Sequence, residues 1–388
     1  MKIRIGRRDI FNQLAENQSI HSENLIWMHC ASLGEFEQGR PIIEMIKKQF
    51  PEKRILLTFF SPSGFEIRKN YPLADCVSYL PFDSQKNAER FLEIVKPRLA
   101  IFVKYEIWYH FINQLKINQI PLYLVSANFR ENQIFFQWYG NFFKKILFNF
   151  NHIFVQNSQS QKLLESIDYQ NVTIAGDTRF DRVKSLTDNP QKLPIIEAFK
   201  GNQKLFVIGS AWVQDFNFLL PFLNNEKYDF KTIIAPHEIN ESEMINWQSQ
   251  LKGKSIKYSE CVNNQEFTTE SVLFIDNIGL LSSIYNYAEF CWVGGGFGSG
   301  LHNILEAATY GKPIFFGNKN YTKFQEAIDL IELGSAFSVS ELSDFLTIFD
   351  ILYQDSKFYN STTAISKQYV AKNIGATDII IKSISQQL

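Results

Sequence analysis

Apolar residues along the first part of the chain come in two alternating arrangements: short unbroken runs, and longer stretches where they recur at helical spacing. The runs read as buried strands and the spaced stretches as amphipathic helices. The pattern predicts strands over 25–31, 54–60, 77–80, 99–103, 122–126 and 153–156. Helices are predicted between them over about 36–50, from about 64, over 88–95 and over about 108–118. Strand–helix alternation with short connections means βαβ units on a parallel sheet. A polar, turn-rich segment, 185–203, contains Asp188-Asn189-Pro190 and Pro194 and reads as a linker or its flank. A second series follows, with strands over 205–209, 231–235, 272–275, 290–293 and 313–316 and helices over 215–223 and 241–251. The tail, 356–388, reads as helical. The expected fold class is α/β: two doubly wound halves, 1–184 and 185–355, with a cleft between them and the tail packing back towards the first.

Composition narrows the partners. At 388 residues and 45% hydrophobic content, two cores are affordable by length and composition. The formal net charge of -1 argues against a nucleic-acid partner held by bulk electrostatics. Cys30, Cys76, Cys261 and Cys291 are far apart and show neither zinc spacing nor a disulfide framework, which fits a reducing cytoplasm. No apolar run reaches the ~18 residues that span a bilayer, and no signal-peptide pattern opens the chain. The start is instead basic, with Lys2, Arg4, Arg7 and Arg8.

The segment 133–150 carries Phe135, Phe136, Trp138, Tyr139, Phe142, Phe143, Ile146, Leu147, Phe148 and Phe150, interrupted by Lys144 and Lys145. Its apolar residues occupy more than one helix face. Two readings stand: a large buried helix, or an apolar surface beside a lipid.

Candidate chemistry concentrates where strands end, the place at which parallel sheets bind ligands. The richest stretch runs from Gly294-Gly295-Gly296 through Ser299 and Asn303 to Glu306. It follows an apolar strand and leads into 301–309, which reads as a helix. A glycine-rich turn lets backbone N–H groups approach an anion, and a helix N-terminus adds free donors and a positive dipole end. Glu306 is placed to accept hydrogen bonds from a sugar diol, so a nucleotide fits. The spacing matches neither the dinucleotide nor the P-loop fingerprint. The alternative is that the glycines only permit close strand–helix packing.

Other strand ends carry Ser32-Leu33-Gly34-Glu35, where Glu35 could take a proton from a hydroxyl or simply complement a helix dipole. Glu106 follows the strand 99–103. Arg130 follows 122–126, where it could bind a carboxylate or phosphate. In the second half lie Ser210, His237, and the Asp276-Asn277-Ile278-Gly279 turn, whose backbone could meet a base.

Together these strings resemble the bacterial 3-deoxy-D-manno-octulosonic acid (Kdo) transferases of lipopolysaccharide assembly. The matching segments are Ala31-Ser32-Leu33-Gly34-Glu35-Phe36-Glu37, Tyr105-Glu106-Ile107-Trp108, Asp177-Thr178-Arg179-Phe180-Asp181-Arg182, Gly294-Gly295-Gly296 and His302-Asn303-Ile304-Leu305-Glu306-Ala307. The resemblance implies a GT-B glycosyltransferase with two Rossmann-like domains facing a cleft, CMP-Kdo as donor and a lipid A precursor as acceptor. It implies an inverting reaction without a metal or other cofactor. By carry-over Glu35 is the general base, Glu106 an acceptor-side or structural carboxylate near it, and Ser210, Ile278, Gly279, Asn303 and Glu306 belong to the CMP site, with Arg179 at a basic position of the cleft-lining segment. Their places at strand ends and in the glycine turn put Ser32, Gly34 and Arg130 on the acceptor side with Glu106, and His237, Gly295, Gly296 and Ser299 on the donor side with Arg179. The sequence departs from the family in lacking an Arg between Pro236 and His237, and in carrying Lys323-Phe324, with Asn320 nearby, in the loop after Gly317. The family usually opens with an apolar anchor helix, where this chain has the basic segment 4–8. The expected location is the cytoplasmic face of the inner membrane, held peripherally or by an anchor outside this chain. The competing reading is another GT-B enzyme that uses a UDP-sugar, a transferase or epimerase; the Ser32–Glu35 and Tyr105–Trp108 strings argue against it. A membrane scaffold without activity is the third.

Overall fold

Unbroken apolar runs do become buried parallel strands. The computed structural model describes residues 9–261, 267, 269–298 and 300–388. Among the described residues two seven-stranded sheets form, each in its own unit: Met1–Arg182 with Asn373–Leu388, and Val183–Lys372.

In the first unit the strands are β1 (Leu25–Cys30), β2 (Arg54–Phe59), β3 (Cys76–Tyr79), β4 (Leu99–Val103), β5 (Leu122–Ala127), β6 (His152–Val155) and β7 (Val172–Ile174). Their order is β3-β2-β1-β4-β5-β6-β7, all neighbours parallel. The chain builds outward from β1 in one direction, then returns to start β4 on its other side. Buried side chains pack on both faces of the sheet: Trp27, Phe91, Phe102 and Phe111 on one, Phe36, Ile43, Ile101 and Phe154 on the other. The predicted series stopped at 156; β7 extends it. Its three residues are only partly buried, too short and too exposed for an apolar run to mark them.

The second unit contains β8 (Lys204–Ala211), β9 (Phe230–Pro236), β10 (Lys254–Lys257), β11 (Glu270–Phe274), β12 (Phe290–Val293), β13 (Ile314–Gly317) and β14 (Ala336–Val339). The order is β10-β11-β9-β8-β12-β13-β14, again parallel. The heavy use of Phe is spent here. Phe206, Phe222, Phe345 and Phe349 interlock edge-to-face and tilted around Trp292 and Phe315. Strands β10 and β14 went unpredicted because each lies at a sheet edge with partly exposed positions.

Three expectations need correction. The segment 185–203 is not a bare linker: Pro194 opens the helix Pro194–Lys200, which buries Ile195, Ile196 and Phe199. Proline is favoured at the first helical position, where its missing N–H would have no partner anyway. The tail 356–388 is not one segment. The helix Ser356–Asn373 lies in the second unit up to Lys372, whereas Ala376–Ile384 buries Ile380, Ile381 and Ile384 in the first unit's core. Asp181 fastens that return, accepting the N–H of Gly375 (2.6 Å) and both the N–H (2.7 Å) and hydroxyl (2.6 Å) of Thr377.

The third correction concerns 133–150, which is not a long buried helix. It breaks into a 3₁₀ turn, Ile134–Phe136, and a short helix, Asn141–Leu147. At Gly140 between them a Cβ would come within 1.6 Å of the Ile134 carbonyl oxygen, so the chain folds back sharply there. Ile146, Leu147 and Phe150 are buried, but Trp138 is 92% exposed, Tyr139 60% and Phe142 55%.

Candidate active site

Both sheets have a topological switch, the point where ligands enter open α/β folds. In the first unit it lies between β1 and β4, in the second between β8 and β12.

Beyond β1, Ser32 caps the helix Leu33–Gln49. Its backbone is extended and its hydroxyl oxygen accepts the Gly34 N–H at 3.3 Å. Glu35 in the first turn receives a hydrogen bond from the Ser32 hydroxyl on Oε2. Its other oxygen, Oε1, lies 3.9 Å from Lys104 Nζ, beyond the neighbouring β4. Lys104 takes a left-handed backbone, φ 71°, which turns the chain as it leaves the strand. Glu106 is held by the Trp108 indole N–H at 2.7 Å, and the same N–H lies 3.0 Å from His29 Nε2. His29 is fully buried on β1, its Nδ1 2.9 Å from the Thr58 hydroxyl, which also accepts the Trp27 indole N–H at 2.8 Å. Sequence reasoning passed over His29 because a lone histidine inside an apolar run gives no signal of what it faces.

Tyr105 lies among the charges of this edge. Burial pushes its pKa up; Arg130 and Arg179 pull it down, while Glu35 and Asp177 add to the rise. Arg130 is exposed, its backbone N–H on Gln133 Oε1 at 3.0 Å. Arg179, expected on the donor side, belongs to the first unit. It binds Asp177 through Nε (2.8 Å) and a terminal nitrogen (2.7 Å), and Gln38 donates to the same carboxylate at 3.2 Å. Burial raises the Asp177 pKa, but Arg179 and these hydrogen bonds win and hold it below the ordinary carboxylate range. Asp177 is thus an anchor for Arg179.

At the second switch, the three consecutive glycines mainly serve close packing. A Cβ on Gly294 would lie 2.1 Å from the Ser210 carbonyl oxygen, and one on Gly296 2.4 Å from that of Gly317. Gly295 has φ +91° and its N–H is bound by Asp215 at 3.0 Å. Asp215, fully buried, also accepts the Trp212 N–H and the Trp292 indole N–H, each at 3.0 Å. This carboxylate ties β8 to β12, and the sequence reading saw it only as the start of a helix. The predicted helix 301–309 shrinks to Leu305–Ala308, with Glu306 in its first turn. Four residues align too few peptide dipoles to make an anion site, so the helix-dipole argument falls away. Asn303 takes over the local work: Oδ1 accepts the Leu305 N–H and Nδ2 donates to Glu306 Oε1, both at 3.2 Å.

Ser210 turns with φ 51° at the end of β8. His237, after β9, stacks on Trp212 at 4.2 Å and lies tilted against His302 at 4.4 Å. Ile278 is 81% exposed and Gly279, φ +101°, is open around its Cβ position; no hydrogen bond ties either to this group among the described residues. Ser299 lies outside the described residues. Asn320, φ 55°, donates to the Gly298 carbonyl oxygen at 2.6 Å and steadies the turn. Among the described residues no group of three or more His, Cys, Asp or Glu could hold a metal ion.

Residues 4–182 match the model of the family described as 3-deoxy-D-manno-octulosonic-acid transferase (kdotransferase). The similarity to Kdo transferases takes in most of the first unit by the family model and the whole chain by pairwise alignment. A 3-deoxy-D-manno-octulosonic acid transferase of Rickettsia bellii is 26% identical over an alignment covering 100% of this chain and 94% of that protein. One of Aquifex aeolicus is 26% identical over 83% of this chain and 84% of its own length. In fold, the chain resembles a solved structure described as a UDP-N-acetylglucosamine 2-epimerase from Listeria monocytogenes, with TM-score 0.63 at 12% identity, covering 94% and 97% of the two chains. At that identity the likeness concerns the α/β architecture of GT-B proteins and not the chemistry.

Proposed function

We propose that this enzyme transfers Kdo from CMP-Kdo to a lipid A precursor with inversion of the anomeric centre. The observation that carries the reading is the pairing of Glu35 with Lys104 across the first switch point, inside the segment that matches the family. Glu35 Oε1 takes the proton of the acceptor hydroxyl. The hydroxyl oxygen forms a bond to the anomeric carbon as the bond to the donor phosphate breaks, and its electron pair leaves with CMP. Attack opposite the leaving group inverts the centre. Around β8 and β12, the turn amides, Ser210, Asn303 and Glu306 receive the nucleotide, Glu306 through the ribose diol. No metal enters these steps.

The test is product analysis with CMP-Kdo and a tetraacylated disaccharide acceptor, run beside a panel of UDP-sugars. Kdo-bearing product with CMP-Kdo alone is expected. Turnover of a UDP-sugar with none of CMP-Kdo would overturn the reading in favour of another GT-B activity.

An acceptor with acyl chains in a bilayer brings the enzyme to the membrane surface. Among the described residues no helix is long and apolar enough to cross a membrane. Peripheral attachment is supported by the exposed Trp138, Tyr139, Phe142, Phe143 and Phe148 beside Lys144 and Lys145. Large aromatics exposed together are uncommon on soluble surfaces, and they seat well at a headgroup boundary. Salt-sensitive binding to anionic vesicles is expected. Each basic side chain near such a surface contributes about 1 kcal/mol, so Lys144→Glu/Lys145→Glu should weaken sedimentation with vesicles roughly tenfold or more. Activity on a detergent-dispersed acceptor should remain. Equal vesicle binding by wild type and the double variant would refute the surface assignment.

A further inference from the structure

His302 stands at the exit of the glycine turn. Its backbone N–H binds the Gly294 carbonyl oxygen at 3.2 Å, and its ring edge lies 3.0 Å from the Cβ position of Gly295. The Trp212 indole N–H reaches His302 Nε2 at 3.1 Å. An indole nitrogen can only donate, so Nε2 must accept, and the single proton of the neutral ring sits on Nδ1. Among the described residues Nδ1 has no hydrogen-bond partner. The backbone N–H groups of Gly296, Phe297 and Asn303 likewise find no acceptor among the described residues. His237 lies against the ring, tilted by 34° with the centroids 4.4 Å apart. Burial and the nearby His237 push the His302 pKa down to about 4, which leaves the ring uncharged at neutral pH.

We propose that His302 is a phosphate-binding residue for the nucleotide donor, presenting Nδ1–H to a phosphate oxygen, and that Trp212 is the positioning residue that fixes its tautomer. The inference rests on the donor reading above. It adds a direct hydrogen-bond donor where the short helix Leu305–Ala308 supplies no dipole. Protonation on Nε2 instead would turn a lone pair towards the phosphate and repel it.

Calorimetric titration of the full chain with CMP and with cytidine, which lacks the phosphate, tests the assignment. Trp212→Phe keeps the stack and removes the N–H; His302→Phe keeps the ring and removes its nitrogens. Each is expected to weaken CMP about tenfold, the size of one hydrogen bond to a charged group, with cytidine unchanged. The double variant should be no worse than His302→Phe alone, because Trp212 acts only through His302. In the wild type, ¹⁵N NMR should report the Nδ1–H tautomer for His302, with a signal that moves on adding CMP and not cytidine. Unchanged CMP affinity in both single variants, equal losses for CMP and cytidine, or an Nε2–H tautomer in the wild type would each overturn the inference. A wild-type chain that binds no CMP would overturn the donor reading itself.

Discussion

Glu35→Gln is expected to lower turnover by roughly 10²–10⁴-fold, the span over which a positioned general base contributes, while CMP affinity stays close to wild type. The substitution is chosen for shape. The amide oxygen can still accept from Ser32, and the helix Leu33–Gln49 keeps its cap, since that cap is the Ser32 oxygen on the Gly34 N–H. What is lost is the basic oxygen facing Lys104. A merely dipole-complementing carboxylate in a first turn contributes only about 0.3–1 kcal/mol to stability and nothing to chemistry. The two roles therefore separate cleanly. Single-turnover rates near wild type, with a slightly lowered melting midpoint, would leave Glu35 a structural carboxylate and remove the base from the proposed reaction.

The carboxyl ends of strands were readable from sequence because buried parallel strands are unbroken apolar runs, and whatever follows them faces the binding edge. That logic located Glu35, Glu106, Arg130, Ser210 and His237 at their sheet edges before any coordinates. It failed where the partner is distant in sequence. His29 and Thr58 meet across 29 positions, and Asp215 reaches Trp292 across 77 and Gly295 across 80. No local spacing encodes such pairs. It also failed where backbone geometry overrides propensity. The stretch 301–309 has a helical pattern, yet only Leu305–Ala308 is helical, because His302 is drawn onto the Gly294 carbonyl before the helix begins. The aromatic run 133–150 is ambiguous for a related reason. Hydrophobicity left a buried helix and an apolar surface both open, and the choice between them lies in the backbone: Gly140 turns the chain, and Trp138 and Phe142 are exposed.

The buried carboxylate of Asp215 explains why the glycine turn keeps its shape, and its removal should be felt in stability more than any surface change. It is fully buried, and burial pushes its pKa above the ordinary carboxylate range against the pull of the Gly295, Trp212 and Trp292 hydrogen bonds. Such a group is tolerated only because all three donors point at it. Asp215→Ala strands the three N–H groups at once. Each buried unpaired donor costs about 1–3 kcal/mol, so a loss on the order of 3 kcal/mol or more is expected. For a unit of this size that lowers the melting midpoint by roughly 6–12 °C. Asp215→Asn should fall between. Its amide oxygen can keep the two backbone donors on one side, but its NH₂ then meets the Trp292 indole N–H donor to donor. Differential scanning of the full chain should show the larger shift for Ala, with near-ultraviolet dichroism of Trp292 altered in both. Nucleotide binding should weaken in parallel, because the same carboxylate fixes Gly295 and the backbone of Trp212, the residue that orients His302. A midpoint unchanged in Asp215→Ala would mean the turn is held by its glycine packing alone, and the carboxylate would lose its organising role.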